Sequence, residues 1–282
     1  MKRYRVLGFN LDSTAALSAQ EISDMWQPDA QETHRADKES IRQHFIEQFG
    51  ALNSDAKIQN LFDLGGPPLS VVAFHNTFLR QARDAFVIGA YYPALTGICA
   101  LGERVFNDLI LRLRDFYTDT PEYKRVYNKS SFDKWEMAID VLETWHVVLP
   151  DVVREYENLA RIKNRTMHFH HVTDRDARSL ALEAIDSFSR ILRMQFSGFG
   201  NQPWFIPQTP GASFIKKEAE TQPFIQVVYL PNSVLVGPDH ELEFSENLQV
   251  SVTDRDDYEA IEISDEEFAR LFTNRPSTRH RK

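Results

Sequence analysis

The chain has 282 residues, 42% of them hydrophobic, which is enough to bury a sizeable core in one large domain or two modest ones. Its formal net charge of −9 argues against a protein that coats nucleic acid through bulk charge, although a local basic pocket could still hold RNA. The single cysteine, Cys99, excludes an internal disulfide and a thiolate-rich zinc site, so we expect a protein of the reducing cytoplasm. Residues 1–16 hold no apolar run typical of a signal peptide.

The first predicted region, residues 1–66, begins with a strand and continues with charged helices. In KRYRVLGFNLD, the apolar residues Leu7, Phe9 and Leu11 alternate with Arg5, Gly8 and Asn10, which predicts a half-buried strand. Residues 20–50 are rich in charged and amide side chains around sparse apolar positions. We therefore expect one or two exposed amphipathic helices there.

The second predicted region, residues 67–200, has the apolar spacing of four to five antiparallel helices joined by short connections, which predicts a helical bundle. Pro93 suits the first turn of helix two, SSFD at 130–133 resembles a capping box for helix three, and Pro150–Asp151 opens helix four. TDRD at 173–176 is predicted to cap helix five, which Gly198 and Gly200 end. The expected inward positions, helix by helix, are Val71, Phe74, Phe78, Ala82, Ala85 and Phe86; Leu95, Ile98, Val105, Phe106, Leu109, Ile110, Leu113 and Phe116; Trp135, Ile139, Leu142 and Trp145; Val152, Tyr156, Leu159, Ile162 and Phe169; and Leu180, Ala184, Ile185, Phe188, Ile191 and Leu192.

One uncharged stretch, residues 85–102, approaches the length of a membrane span. Gly89, Pro93, Gly97 and Gly102 interrupt it, so we interpret it as the end of one buried helix, a Tyr-Tyr-Pro turn and the start of the next helix. No membrane association is expected.

The third predicted region, residues 201–282, is a small β-rich module. NQPWFIPQTPG has three prolines in eleven residues and is typical of a linker. FIQVVYL–PNS–VLV predicts one hairpin and NLQVSVTD–RDD–YEAIEIS a second one, followed by a short helix in SDEEFARLF and the basic tail NRPSTRHRK.

The segment RIKNRTMHFHH, residues 161–171, is the main candidate for chemistry. On a helix, Arg161, Asn164, Arg165 and His168 fall within a stripe roughly 100° wide, beside an apolar strip that faces the bundle. Phosphodiester chemistry needs such a set. A histidine that titrates near neutrality moves protons, arginines stabilise a phosphoryl group that gains charge, and an asparagine orients the imidazole or donates to a phosphate oxygen.

Two other interpretations of this segment stay open. Basic side chains near a helix C-terminus interact favourably with its dipole, so the segment could be only a solvated helix end. A metal site of His168, His170 and His171 is a weaker alternative, because no carboxylate or cysteine lies at the usual ligand spacing. We therefore predict no metal and no cofactor.

The bundle and the motif together resemble the HEPN family, whose members are small helical domains of bacterial toxins, antiphage systems and RNA-processing enzymes. Many members have an Arg, a polar residue and a His a few positions later, and KNRTMH at 163–168 occupies that place here. The closest register puts Lys163 in the arginine position, with Asn164 as the polar residue. Registers that keep an arginine pair Arg161 with His168 or Arg165 with His170. Because Lys163 points roughly 140° away from His168 on an ideal helix, geometry favours Arg161 with His168.

Other polar residues have competing interpretations. Glu103, on helix two, either holds a motif side chain in place, as the resemblance implies, or is a surface carboxylate paired with Arg104 or Arg80. His75 and His146 lie on apolar faces and are predicted to be core histidines, and Ser130 and Ser131 to be caps. No glycine-rich phosphate loop, nucleophile elbow or metalloprotease helix is present in the sequence.

The resemblance implies a metal-independent endoribonuclease of a toxin or antiphage system, which cuts RNA by attack of its 2′-hydroxyl. It also implies a homodimer through the bundle, with an inhibitor or sensor protein as a further partner. The alternative is a non-catalytic bundle that serves as a dimerisation or partner-binding scaffold. Lys163 in the arginine position and the acidic charge favour that alternative.

Overall fold

The computed structural model describes residues 1–8, 20–132, 134–167, 176–244, 250–258 and 261–275. Within them the chain is mainly helical with small two-stranded sheets, as predicted. In chain order the elements are β1 (Arg3–Val6), α1 (Pro28–Phe49), α2 (Ser54–Leu64), α3 (Ala73–Val87), α4 (Tyr91–Leu113), the short α5 (Tyr123–Val126), α6 (Trp135–Thr144), α7 (Pro150–Met167), α8 (Ala177–Gln195), β2 (Ser233–Val236), β3 (Glu241–Phe244), β4 (Val250–Thr253) and α9 (Asp265–Asn274).

Helix α4 is the centre of the helical part, because α3, α6, α7 and α8 all pack against it. It is apolar along most of its length, and Gly102 lets its neighbours approach closely: an added Cβ would lie 2.8 Å from Leu159 of α7 and 3.1 Å from Trp135 of α6. Residues 85–102 contain the end of α3 and the first half of α4, as predicted. The predicted Tyr-Tyr-Pro turn is wrong, because the chain turns at residues 88–90 and Tyr91, Tyr92 and Pro93 form the first turn of α4. None of the helices in the described part of the chain is both long and apolar enough to cross a membrane.

The predicted inward positions are confirmed with two exceptions. Phe78 and Phe116 are 37% and 51% exposed. In α3 the buried face runs through Leu79 instead, and Phe116 lies in a 3-10 turn beyond the end of α4, where the helical spacing no longer applies. The side chain of Phe74 and residue Phe169 lie outside the described part of the chain.

The predicted capping box of helix three is wrong. Ser130 and Ser131 are exposed, and α6 begins only after Lys134, whose side chain does not cap it. The side chain of Asn107 instead binds the backbone of Phe132 before the helix begins. The Phe132 N–H donates to Asn107 Oδ1 at 2.7 Å, and the Phe132 carbonyl accepts from Asn107 Nδ2 at 3.2 Å. For α8, the N-cap is Asp176, without a side-chain hydrogen bond, and residues 173–175 are not described.

His146 is exposed, so its assignment to the core is also wrong. It lies two residues beyond Thr144, the last residue of α6, and takes a left-handed backbone conformation with a φ of 55°, which turns the chain toward α7 and leaves the imidazole outside. The side chain of His75 is not described.

The C-terminal strands do not pair as predicted. Phe224, Ile225, Val228 and Tyr229 are buried at helical spacing in a π-helical turn, because the helical core is their neighbour. Tyr229 closes that contact by donating its hydroxyl to the carbonyls of Gln195 and Ser197. The following β2 pairs with β1, 230 residues earlier in the chain, instead of forming a hairpin. Likewise, β4 pairs with β3 rather than with residues 258–264.

The N-terminal strand is shorter and faces differently than predicted. In β1, Arg3, Arg5 and Val6 are buried, Leu7 is only half-buried, and residues 9–19 lie outside the described part. Helix α1 is exposed as expected, with Phe45 as its buried residue. Helix α9 also forms as predicted, and Ser264 Oγ caps it by accepting from the Glu267 N–H.

Two buried clusters organise the described residues. The larger one joins the helices around α4 to Trp204, Phe205 and the 224–229 turn. The smaller one lies between β1, β2 and α9, and its buried members are Ile206, Ala212, Phe214, Val236, Phe268, Ala269 and Phe272. The predicted boundaries of three regions, 1–66, 67–200 and 201–282, stay a prediction.

Candidate functional site

Helix α7 carries the candidate motif and is strongly two-sided. Val152, Tyr156, Leu159 and Ile162 are buried against the other helices, which fixes the rotation of α7. That rotation leaves the predicted site residues Arg161, Asn164 and Arg165 exposed to solvent. The helix is described as far as Met167, so His168, His170 and His171 lie outside the described residues.

The two exposed arginines of the stripe, Arg161 and Arg165, form no ion pair with a carboxylate of the described residues. Arg161 donates to Asn158 Oδ1 at 3.3 Å, and no hydrogen bond or ion pair involves Arg165 within the described residues. Other arginines nearby are paired: Arg154 contacts Asp151 on the same helix, and Arg190 of α8 binds Glu155 at 2.8 Å. Within the described part of this chain, whose net charge is −9, no carboxylate thus neutralises these two neighbouring guanidinium groups, which can bind an anion.

Lys163 faces the opposite way, into the contact between α7, α4 and α6. Its ammonium lies 3.0 Å from Glu103 Oε2 and 4.6 Å from the centroid of the Trp135 ring. Lysine over an indole face gains a cation–π attraction in addition to the ion pair. The side chain that occupies the motif-arginine position is thus bound to its neighbours, and its direction differs from that of Arg161 and Arg165.

Glu103 accepts two hydrogen bonds through one oxygen. Trp135 Nε1 donates to Oε2 at 2.9 Å, and Lys163 donates to the same atom at 3.0 Å. Of the two interpretations of Glu103, the structure brings it to a motif side chain, Lys163, and its ion pair is neither with Arg104 nor with Arg80. The Arg104 guanidinium instead lies over the Phe78 ring, 5.0 Å from its centroid.

Buried groups behind Lys163 stay neutral. Tyr156 stacks on Trp135 with centroids 4.8 Å apart, and burial, together with Glu103 and Glu136, raises the pKa of Tyr156 well above its ordinary value. Burial raises the pKa of Cys99 to about 12, which the charge of Lys163 offsets only in part. Sequence reasoning predicted Trp135 and Tyr156 only as core residues. Their spacing in the sequence does not predict a site at Lys163, because the contacts around Lys163 join residues of α4, α6 and α7.

A cleft of about 480 Å³ lies between α3 and α4. Small and apolar side chains, including Ala82, Ala85 and Leu101, line it. Phe78, Glu103 and Arg104 line it as well, so the exposed Phe78 is part of its wall. Sequence reasoning did not predict this cleft.

No family model, curated protein or solved structure matches this chain. The HEPN assignment therefore rests on the helical pattern and the KNRTMH motif, and it stays a prediction. Among the residues that the structure describes, no group of three His, Cys, Asp or Glu side chains could hold a metal ion. The alternative site of His168, His170 and His171 falls outside those residues.

Proposed function

We propose that the protein is a metal-independent endoribonuclease of the HEPN type. The observation that carries this proposal is the exposed face of α7, where Arg161 and Arg165 have no carboxylate partner among the described residues and precede His168 by seven and three positions in the sequence. A phosphate of RNA is the natural counterion for such a pair, because a guanidinium binds phosphate oxygens with two parallel hydrogen bonds.

In the proposed reaction the RNA supplies its own nucleophile. The 2′-hydroxyl loses its proton and attacks the adjacent phosphorus, the bond to the 5′-oxygen breaks, and the leaving oxygen takes up a proton. His168 transfers protons in one or both of these steps. Arg161 and Arg165 stabilise the charge on the phosphorane, and Asn164 orients the imidazole or donates to a phosphate oxygen. The products are a 2′,3′-cyclic phosphate and a 5′-hydroxyl.

Lys163 and Glu103 have a supporting function in this proposal. Their ion pair fixes α7 on α4 and so fixes the direction of the arginine stripe. His170 is a further supporting candidate. We propose that two copies of α7 meet across a twofold axis, since a homodimer would join two thin stripes into one basic site on two acidic chains.

We also propose a biological setting. An RNA-cutting bundle suits a toxin or antiphage effector of the cytoplasm, and the regions that flank the bundle would sense a trigger or bind an inhibitor protein. The cytoplasmic location is supported by the single Cys99, which is buried and cannot form an internal disulfide.

The decisive experiment is incubation of the purified protein with total RNA in EDTA, followed by end-group analysis. We expect cleavage that persists in chelator and leaves the cyclic phosphate, whereas DNA and RNA with a 2′-O-methyl group at the cut position resist. His168→Ala should slow the reaction by about 10²–10⁴-fold, His170→Ala should slow it less, and His171→Ala is the matched control. Cleavage that is lost in EDTA, or is equally fast on 2′-O-methylated RNA, would contradict this mechanism.

The second candidate function is a non-catalytic scaffold, and the Lys163 contacts favour it. A lysine that is paired with Glu103 and covered by Trp135 stabilises the packing of helices without any substrate. Overexpression separates the two functions. Wild type and His168→Ala should differ in their effect on cell growth if the site cuts RNA, and they should have the same effect if the bundle is a scaffold.

A further inference from the structure

Strand β1 carries two buried arginines. One has a carboxylate counterion, and the other has none among the described residues. Arg3 is 2% exposed, forms an ion pair with Asp265 at 2.7 Å and donates to the Ile263 carbonyl at 2.6 Å. Arg5 is 8% exposed and forms no ion pair with any carboxylate of the described residues. Its Nη1 donates to His240 Nε2, and its Nε is buried without a hydrogen-bond partner. A buried guanidinium without a counterion destabilises the folded state. This cost applies to Arg5 but not to Arg3, whose charge is balanced by Asp265.

The histidine beside Arg5 supplies no negative charge. His240 donates Nδ1–H to the Gly237 carbonyl at 2.6 Å, which leaves Nε2 as an acceptor on a neutral ring. The pKa of His240 is lowered to about 4, chiefly by burial and also by the charges of Arg5 and Arg275, while the hydrogen bond to Gly237 and the charge of Asp254 act in the opposite direction. The imidazole thus satisfies one N–H of Arg5 and leaves its charge in place.

A second guanidinium converges on the same place. Arg275 follows the last residue of α9, its Nη1 donates to the His240 carbonyl at 3.3 Å, and its Cζ lies 3.9 Å from the Phe272 centroid. Arg5 Cζ lies 6.0 Å from the centroid of that ring and 5.8 Å from the centroid of Phe214. Two arginines therefore share His240 and one aromatic ring.

The two charges disfavour each other. Burial lowers the pKa of Arg5 to about 10, and the charge of Arg275 contributes to the shift. Burial also lowers the pKa of Arg275, whereas Asp239 and Glu241 raise it without forming an ion pair with it. An anion in contact with both guanidinium groups would relieve this repulsion.

We propose that Arg5 and Arg275 bind a small phosphate-bearing anion at the end of β1. The dianion has three oxygens that accept from the planar forks of two arginines, which a chloride cannot do. The ligand would be inorganic phosphate or the phosphomonoester of a small metabolite. This site lies on β1, α9 and the segment that carries His240, apart from α7, so the proposal does not depend on ribonuclease activity.

The test is a thermal unfolding titration of the full chain with sodium phosphate against sodium chloride at equal ionic strength. We expect a rise in Tm with phosphate that begins near its Kd and then grows by about 1–3 °C for each factor of 5 in ligand concentration, and no such rise with chloride. Ribose 5-phosphate in a second arm separates the two sources. A rise that begins at a lower concentration than with phosphate assigns the site to a phosphomonoester, and one that begins at a higher concentration assigns it to inorganic phosphate.

Variants locate the effect. Arg275→Gln removes one guanidinium without emptying a core position and should abolish the rise in Tm that is specific to phosphate. Arg270→Gln is the matched control, because this arginine is exposed on the same helix and paired with Glu267. Arg5→Gln should have the same effect as Arg275→Gln if the Arg5 variant folds. If the Arg5 variant does not fold, the result for Arg275→Gln decides the test. The same response of the wild type to phosphate and to chloride, or an unchanged phosphate response in Arg275→Gln, would overturn the proposal.

Discussion

Lys163 of α7 and Glu103 of α4 form a partly buried ion pair, with the ammonium 3.0 Å from Oε2, although the two residues lie 60 positions apart in the sequence. Trp135 of α6 contacts both partners, through its Nε1–H to Glu103 and through its ring to Lys163. This contact fixes the rotation of α7 from its polar side, as the buried apolar residues do from the other. The arginine stripe therefore has a defined direction.

The first prediction concerns the energy of this pair. In a double-mutant cycle with Lys163→Met and Glu103→Gln, urea unfolding should give a coupling energy of about 0.5–1 kcal/mol, because both side chains are partly shielded from water. The matched control is the exposed pair Arg154–Asp151 on the same helix, whose coupling should be close to zero. Equal coupling energies for the two pairs would mean that burial does not strengthen the Lys163 pair.

The second prediction ranks the basic side chains of α7 in RNA cleavage. Arg161→Ala or Arg165→Ala should lower kcat by about 10²-fold, the loss typical of removing one donor to a developing oxyanion. Lys163→Ala should lower it less, since that ammonium is bound to Glu103. Arg154→Ala is the control on the same helix and should leave the rate unchanged. An equal or larger loss in Lys163→Ala would identify KNRTMH as the true register.

The third prediction compares two glycines of α4. Gly102→Ala should destabilise the protein by about 1–3 kcal/mol, because the added methyl group meets Leu159 at 2.8 Å and Trp135 at 3.1 Å. Gly97→Ala should be neutral or stabilising by up to about 1 kcal/mol, since its nearest neighbour is Ala82 Cβ at 3.4 Å and alanine favours a helix. Chemical denaturation measures both, and an equal loss in both variants would argue against the close packing at Gly102.

The fourth prediction uses the single cysteine as a pH probe. The folded thiol of Cys99 has a pKa of about 12, against an ordinary value of 9.0. The thiol is neutral in both states below pH 9, so its contribution to stability is then complete. As the pH rises above 9, only the unfolded thiol ionises, and the free energy of unfolding should fall by about 1.4 kcal/mol per pH unit relative to Cys99→Ala. Parallel pH profiles of the two proteins would contradict the raised pKa.

The fifth prediction is the proposed homodimer through the bundle. Light scattering at micromolar concentration should give twice the mass of the 32.7 kDa chain. Arg161→Glu should weaken cleavage without weakening dimerisation if the arginines of both copies face the RNA rather than each other. A strictly monomeric protein that cleaves RNA at the full rate would exclude a composite site.

The sequence predicts five of the helices, α3, α4, α6, α7 and α8. Each of them buries one face, and its apolar residues recur along that face at helical spacing. The exposed stripe of Arg161, Asn164 and Arg165 follows from the same periodicity, since the buried Leu159 and Ile162 set the rotation of α7. These features are local, and a helix needs only its own hydrogen bonds and one apolar face.

Tertiary structure decided the features that join distant segments. The run from Phe224 to Tyr229 is apolar and short, so it fits a strand or a buried helical turn equally well, and its contact with the bundle selects the turn. The partner of β2 is β1 rather than its sequence neighbour, because pairing depends on which edge is available in the folded chain. The partner of Lys163 could not be predicted from the sequence for the same reason. An ion pair depends on the distance between two side chains, and only the packing of α7 on α4 brings Glu103 close to Lys163.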